Sequence, residues 1–149
     1  MTVNGFMSVS LEPPLIVVSI ARKTRLYEFL SKSQYYGVSV LDESQVRFSN
    51  HFAGRPDPTL DVAFITLHEG TPLLRDALAH MVARVIDAHS AGDHVLFIGQ
   101  VEYVNYVDKR PLLFYMSDYN RLKSEPKEQQ NIRFDDELTF YVPNAFDRS

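Results

Sequence analysis

From Val3 to Leu11 the chain alternates, with Val3, Gly5, Met7, Val9 and Leu11 on one face and Asn4, Phe6, Ser8 and Ser10 on the other. A period of two predicts a strand with one apolar face and one face of small polar groups. Glu12-Pro13-Pro14 ends it, and the β-branched run Leu15 to Ala21 predicts a buried strand. Thr24 is a candidate N-cap for a short helix over Leu26-Tyr27-Glu28-Phe29-Leu30. Tyr36 to Leu41 predicts another short strand. Asp42 and Gln45 have the spacing of a capping box, and Gly54 suits the stop of the helix that would follow. Residues 55 to 72 hold three prolines and little periodicity, so they read as a long surface loop.

Leu78 to His89 admits two readings. Leu78, Met81, Val82, Val85 and Ile86 fit the helical template slightly better than the strand template. A strand reading opposes Leu78, Val82 and Ile86 to Ala79, Met81 and Val85. Ser90-Ala91-Gly92-Asp93 is a turn signal, and a clear strand follows from His94 to Val104. A second turn at Asp108-Lys109-Arg110 leads to a strand over Leu112 to Met116. The remainder is polar until Leu138 to Val142, which could add a strand or pack against a partner chain. The pattern as a whole predicts a mostly β fold with short helices.

The 149 residues suit one domain, large enough to bury a core without a disulfide or metal staple. No cysteine is present, which removes disulfides, thiolate metal sites and thiol nucleophiles. The longest apolar run, Pro13 to Ala21, is well short of the ~18 residues of a membrane span, and no signal peptide pattern opens the chain. A net charge of -4 with no basic stripe makes nucleic acid an unfavourable partner. A cytoplasmic protein without membrane partners is expected.

Three constellations could carry chemistry. Arg22-Lys23-Thr24-Arg25 places cations before a helix start, which suits an anion but equally suits a solvated basic turn. His94, opening a strand after a tight turn, could bond a carboxamide or phosphate, or be a surface histidine. His51, His68, His80, His89 and His94 do not repeat the i, i+4 spacing of a helical metal pair, so no metal is expected. Neither a G-x-S-x-G elbow, a G-x-G-x-x-G turn nor a P-loop is present.

Read together, these segments resemble the short-chain flavin reductases, the reductase components of two-component flavin monooxygenases. The resemblance runs from Met1-Thr2-Val3-Asn4-Gly5-Phe6-Met7-Ser8-Val9-Ser10-Leu11-Glu12-Pro13-Pro14-Leu15 through Val18-Ser19-Ile20 and the basic loop. It continues through Ser49-Asn50-His51-Phe52-Ala53-Gly54, Gly70-Thr71-Pro72-Leu73-Leu74, Ala91-Gly92-Asp93-His94 and Phe97-Ile98-Gly99-Gln100-Val101. It ends near Pro111-Leu112-Leu113-Phe114-Tyr115 and Tyr119.

The resemblance implies an FMN-binding split barrel, a β-barrel over residues 1–119 with an extension over 120–149. It implies NAD(P)H-dependent reduction of flavin, with FMN or FAD as cofactor, NADH or NADPH as co-substrate, and a partner monooxygenase receiving reduced flavin. It makes Leu78 to His89 a strand, against the periodicity. By position, Thr2, Val3, Asn4, Ser8, Val9 and Ser10 would line the isoalloxazine and ribityl chain. Ser19, Ala21, Arg22, Lys23, Thr24 and Arg25 would meet the ribityl and phosphate end, and Phe52, Ala53 and Gly54 would lie beside the flavin. His94 would contact the nicotinamide and Tyr119 would close the site. A homodimer is also implied. Relatives carry about thirty residues before the Thr-Val-Asn segment, so the domain is expected to be N-terminally incomplete here, with an unpaired strand edge at Val3 to Leu11. The competing readings are a flavin-binding, non-catalytic module and a barrel that serves only oligomerisation.

Overall fold

A computed structural model describes residues 1–121. The strand Phe6–Leu11 (β1) turns at Glu12-Pro13 into Pro14–Ala21 (β2). The helix Arg25–Leu30 (α1) follows, then Tyr35–Val40 (β3) and the helix Val46–Phe52 (α2). Phe64–Leu67 (β4) and Thr71–Leu74 (β5) form a small hairpin across a 3-10 turn at His68–Gly70. Ala79–Ala91 (β6) and His94–Tyr106 (β7) are the two long strands, and Leu113–Tyr115 (β8) pairs with Asp118–Asn120 (β9). The main sheet is antiparallel in the order β1-β2-β7-β6-β3, with β1 and β3 at its edges. The fold is thus mostly β with two short helices, as the pattern predicts.

The core lies on one face of this sheet. Ile16, Val18 and Ile20 of β2 alternate inward, joining Val95 and Phe97 of β7, Ala83 of β6, Tyr36 of β3 and Leu30 of α1. Burial pushes the Tyr36 phenol well above its ordinary pKa, so it stays neutral and donates to the Ile16 carbonyl at 3.3 Å. Thr24 caps α1 as expected, its hydroxyl accepting from the Tyr27 N–H at 3.3 Å.

Three expectations from the pattern need correction, and the strand that the resemblance implies over 78 to 89 is present. Residues 55 to 72 are not all loop, because β4 and the first residues of β5 fall there. Pro72 hides the pattern, yet it pairs with Thr66 across the hairpin. Residues 78 to 89 belong to a strand, as the resemblance implies and the periodicity does not. The reason is that β6 is covered on both faces at its middle: Val82 pairs with Gly37 beneath β5, and Ala83 pairs with Tyr36 in the core. Consecutive buried residues erase alternation, and a register shift between Val85 and Asp87 completes the imitation of a helical period.

Only half of the capping box forms, and it lies three residues ahead of the N-cap. The Asp42 N–H donates to Gln45 Oε1 at 3.0 Å, while the Asp42 carboxylate accepts from the Ser44 N–H at 2.8 Å. This turn precedes α2, whose own N-cap is Gln45. The β1 register also breaks: Ser8 pairs with Ile16 and Ser10 with Leu15, so a bulge at Val9 sends the two serines to opposite faces. The chain 138–142, expected to add a strand or meet a partner, lies outside the described residues.

Candidate flavin site

Ahead of β1, the segment Thr2 to Gly5 is held against two elements. The Thr2 N–H donates to the Phe52 carbonyl at 3.0 Å, and Thr2 Oγ1 donates to the Ser49 carbonyl at 2.8 Å. At its other end the Ser19 N–H donates to the Gly5 carbonyl at 2.7 Å. Glycine is needed there, since a Cβ on residue 5 would lie 2.9 Å from Ser19 Cβ. The segment is therefore pinned to α2 and to β2 before it becomes a strand.

Beside it opens a hollow of about 730 Å³. Thr2, Val3, Asn4, Phe52, Ala53 and Tyr119 all line it, over walls contributed by β2, α1 and β3. Tyr119 on β9 reaches back to α2, its hydroxyl 3.1 Å from both Ser49 Oγ and Asn50 Oδ1. Ser49 and Phe52 are three apart on α2 and so present one face. The sequence offered no sign that Ser49 and Asn50 bracket both Thr2 and Tyr119, because the two partners are nearly fifty and seventy residues away.

A second group gathers at the end of the sheet. Ala21, last of β2, pairs with His94, first of β7. Between β6 and β7 a two-residue turn puts Gly92 at φ 61°, a left-handed conformation that glycine adopts without strain. Lys23, Thr24 and Arg25 follow Ala21, with Thr24 Oγ1 donating to the Ala21 carbonyl at 2.7 Å. The His94 Nδ1 lies 2.8 Å from Asp93 Oδ1. That bond, with the His94 charge and Lys23 nearby, holds the Asp93 carboxyl below its ordinary pKa. Since α1 has six residues, the positive potential here comes from the side-chain cations more than from a helix dipole.

The structure thus collects most of the expected residues into two groups, joined at the Gly5–Ser19 bond. His94 belongs to the sheet end and Tyr119 to the hollow, although both were expected at the nicotinamide. Ser8 and Val9 are exposed on β1, and Gly54 sits past the end of α2 at φ 93°. No cluster of potential metal ligands occurs among the described residues.

The donor set suits a flavin. The hollow has a volume typical of a cofactor site, and its walls are largely apolar, as a planar ring requires. Thr2 and Asn4 supply polar groups at its rim, and Lys23 and Arg25 supply positive charge at the adjoining sheet end. Fold and site together define a flavin-binding split barrel. The chain belongs to the flavin reductase like domain family, whose model matches residues 1–123.

Relatives agree over most of their lengths. An NADH-dependent flavin reductase of Rhodococcus sp is 41% identical over 123 residues, covering 83% of this chain and 69% of the relative. The reductase component of 4-hydroxyphenylacetate 3-monooxygenase from Thermus thermophilus is 37% identical over 123 residues, covering 82% and 78%. The solved structure of the flavin reductase PheA2 in its native state superposes with a TM-score of 0.78 at 42% identity, covering 82% of this chain and 79% of that one.

Proposed function

We propose that this protein is an NADH-dependent flavin reductase that supplies reduced FMN or FAD to a partner monooxygenase. The observation that carries the reading is the continuous strip from Thr2 to Arg25. Hydroxyl and amide groups line its hollow end, cations crowd its far end, and Gly5 keeps the two joined. Family membership supplies the reaction class.

When bound, flavin provides the hydride-accepting ring and the nicotinamide nucleotide provides the hydride, so the chain's part is to hold and orient both. Thr2, Val3 and Asn4, with Ser8, Val9 and Ser10 further along β1, would hold the ring and ribityl side. Phe52, Ala53 and Gly54 would flank the ring. Ser19, Ala21, Lys23, Thr24 and Arg25 would hold the ribityl and phosphate end. The Asn4 amide at the rim favours negative charge developing nearby, and the apolar walls strengthen it by excluding water. His94 would orient the carboxamide of the nicotinamide, and Tyr119 would close the hollow over it. No side-chain acid or base has to move a proton in a hydride transfer.

The reading extends to assembly and setting. Met7, Val9 and Leu11 on edge strand β1, and Ile86 on β6, are exposed apolar side chains that a second copy would cover in a homodimer. No helix among the described residues is long and apolar enough to cross a membrane, and a cytoplasmic location is part of the proposal. So is a functional unit of residues 1–119 with 120–149 as an extension. The test is titration of the chain with FMN and FAD by flavin fluorescence, followed by flavin-dependent loss of NADH absorbance. Turnover with either flavin supports the reading. Binding without NADH oxidation would leave a flavin-binding module, and no binding would remove both.

A further inference from the structure

Arg22 stands first in the basic loop, yet its guanidinium is already occupied. Nη2 donates to Ser90 Oγ at 2.7 Å, Nε to the Gly92 carbonyl at 3.4 Å, and Nη1 to the Tyr27 hydroxyl at 3.4 Å. The guanidinium carbon also lies 5.7 Å from the centroid of the Tyr27 ring. Its backbone N–H donates to the Asp93 carbonyl at 2.9 Å. Among the described residues, the Lys23 and Arg25 side chains make no hydrogen bond.

These contacts join three elements. Ser90 is near the end of β6, Gly92 and Asp93 form the turn that opens β7 at His94, Tyr27 belongs to α1, and Arg22 itself leaves β2 beside Ala21, the cross-strand partner of His94. Residues 86–93 are exposed throughout, so packing does little to hold this turn in place. A planar fork carries its N–H groups on three separate nitrogens and so spans acceptors on Ser90, Gly92 and Tyr27 together, whereas an ammonium presents its three donors from one nitrogen on a flexible stem.

We infer that Arg22 is a positioning residue: it clasps the β6–β7 turn to the basic loop and so fixes His94, leaving the flavin phosphate to Lys23 and Arg25. The inference rests on the reductase reading above. It divides the basic loop into one arginine that aligns the nicotinamide contact and two cations that face the anion.

The test compares Arg22→Ala, Arg22→Lys and the double variant Lys23→Ala/Arg25→Ala with the unaltered protein. Affinities for FMN and for riboflavin, which lacks the phosphate, are read by flavin fluorescence. KM and kcat for NADH and the amide hydrogen exchange of residues 90–95 are read beside them. Arg22→Ala should keep the FMN-over-riboflavin preference within about twofold, raise KM for NADH about tenfold with a smaller change in kcat, and speed exchange in the turn. Arg22→Lys should behave like Arg22→Ala. The double variant should lose the preference for FMN and keep the exchange pattern.

Selective loss of FMN affinity in Arg22→Ala, or full rescue by lysine, would overturn the assignment by making Arg22 a phosphate ligand. Unchanged exchange in the turn would overturn it too. An unaltered protein that binds no flavin would instead defeat the reductase reading, and the exchange measurement would still decide whether the clasp exists.

Discussion

The hollow beside Thr2 and the sheet end beside Arg22 do different physical work. The hollow is an apolar space with a few hydroxyl and amide groups at its rim, organised by one helix. Ser49, Asn50 and Phe52 of α2 hold Thr2 on one side and Tyr119 on the other. The sheet end is exposed, charged and dense in hydrogen bonds, organised by a turn and a short loop. The first can fix the plane of a ring by shape, and the second can fix a charge by geometry. Keeping them on separate elements lets each be tuned alone, provided the strip between them stays thin.

Gly5 is where the comparison can be broken outright. Gly5→Val would place a branched side chain where even a Cβ meets Ser19 Cβ at 2.9 Å and the Ser19 carbonyl oxygen at 3.4 Å. The segment must then lift from β2, at a cost of about 1–3 kcal/mol for overpacking. Both regions lose their common edge. FMN and riboflavin affinity should fall together by tenfold or more, about 1.4 kcal/mol per decade, measured by fluorescence titration. A Gly5→Val protein that binds both as before would show that the two regions are not coupled through this contact.

The next effects separate the regions. Thr24→Ala removes the cap of α1 and the bond to the Ala21 carbonyl, which costs roughly 0.5–2 kcal/mol of stability. A lowered Tm, with FMN binding weakened more than riboflavin binding, would place the damage at the sheet end. Tyr119→Phe deletes the hydroxyl bonds to Ser49 and Asn50, each worth about 0.5–1.5 kcal/mol. KM for NADH should rise several-fold while the FMN-over-riboflavin preference stays constant. A shift in that preference would mean that Tyr119 senses the phosphate end after all.

The two regions were also unequally legible in the sequence. The strand before the basic loop, the Thr24 cap and the turn before His94 all follow from local pattern, because each has stabilising contacts within a few residues or across a tight hairpin, β1–β2 or β6–β7. The hollow does not. Its bracket depends on bonds from α2 to residues nearly fifty positions before it and seventy after it, and no local period encodes those distances. Non-local packing also hid β6, whose burial is set by neighbours on both faces. The β8–β9 turn was invisible for another reason: Met116 and Ser117 occupy left-handed φ values of 50° and 63°, where Asn-Gly would have announced a type I′ turn. Family resemblance supplied what pattern could not, since it carries the non-local pairing implicitly.

The smallest expected effect is a control on α2 itself. The loop after this helix is held by Asp57, whose carboxylate accepts from Arg47 Nη2 at 2.6 Å and from Thr59 Oγ1 at 2.7 Å. The Thr59 bond, then Arg47, lowers the Asp57 pKa to about 2 from an ordinary value of 3.8. A carboxyl depressed on folding binds fewer protons folded than unfolded, so its contribution is complete above 3.8 and disappears as pH falls through about 2. Arg47 is largely exposed, and exposed pairs contribute little, so the effect is a small one. Asp57→Asn should therefore lower Tm slightly at neutral pH and not at all near pH 2. Its effect on flavin should reach the hollow, through Ser49 and Phe52, and leave the FMN-over-riboflavin preference untouched. A change in that preference would mean that α2 organises the sheet end as well, and the division between the two regions would fail.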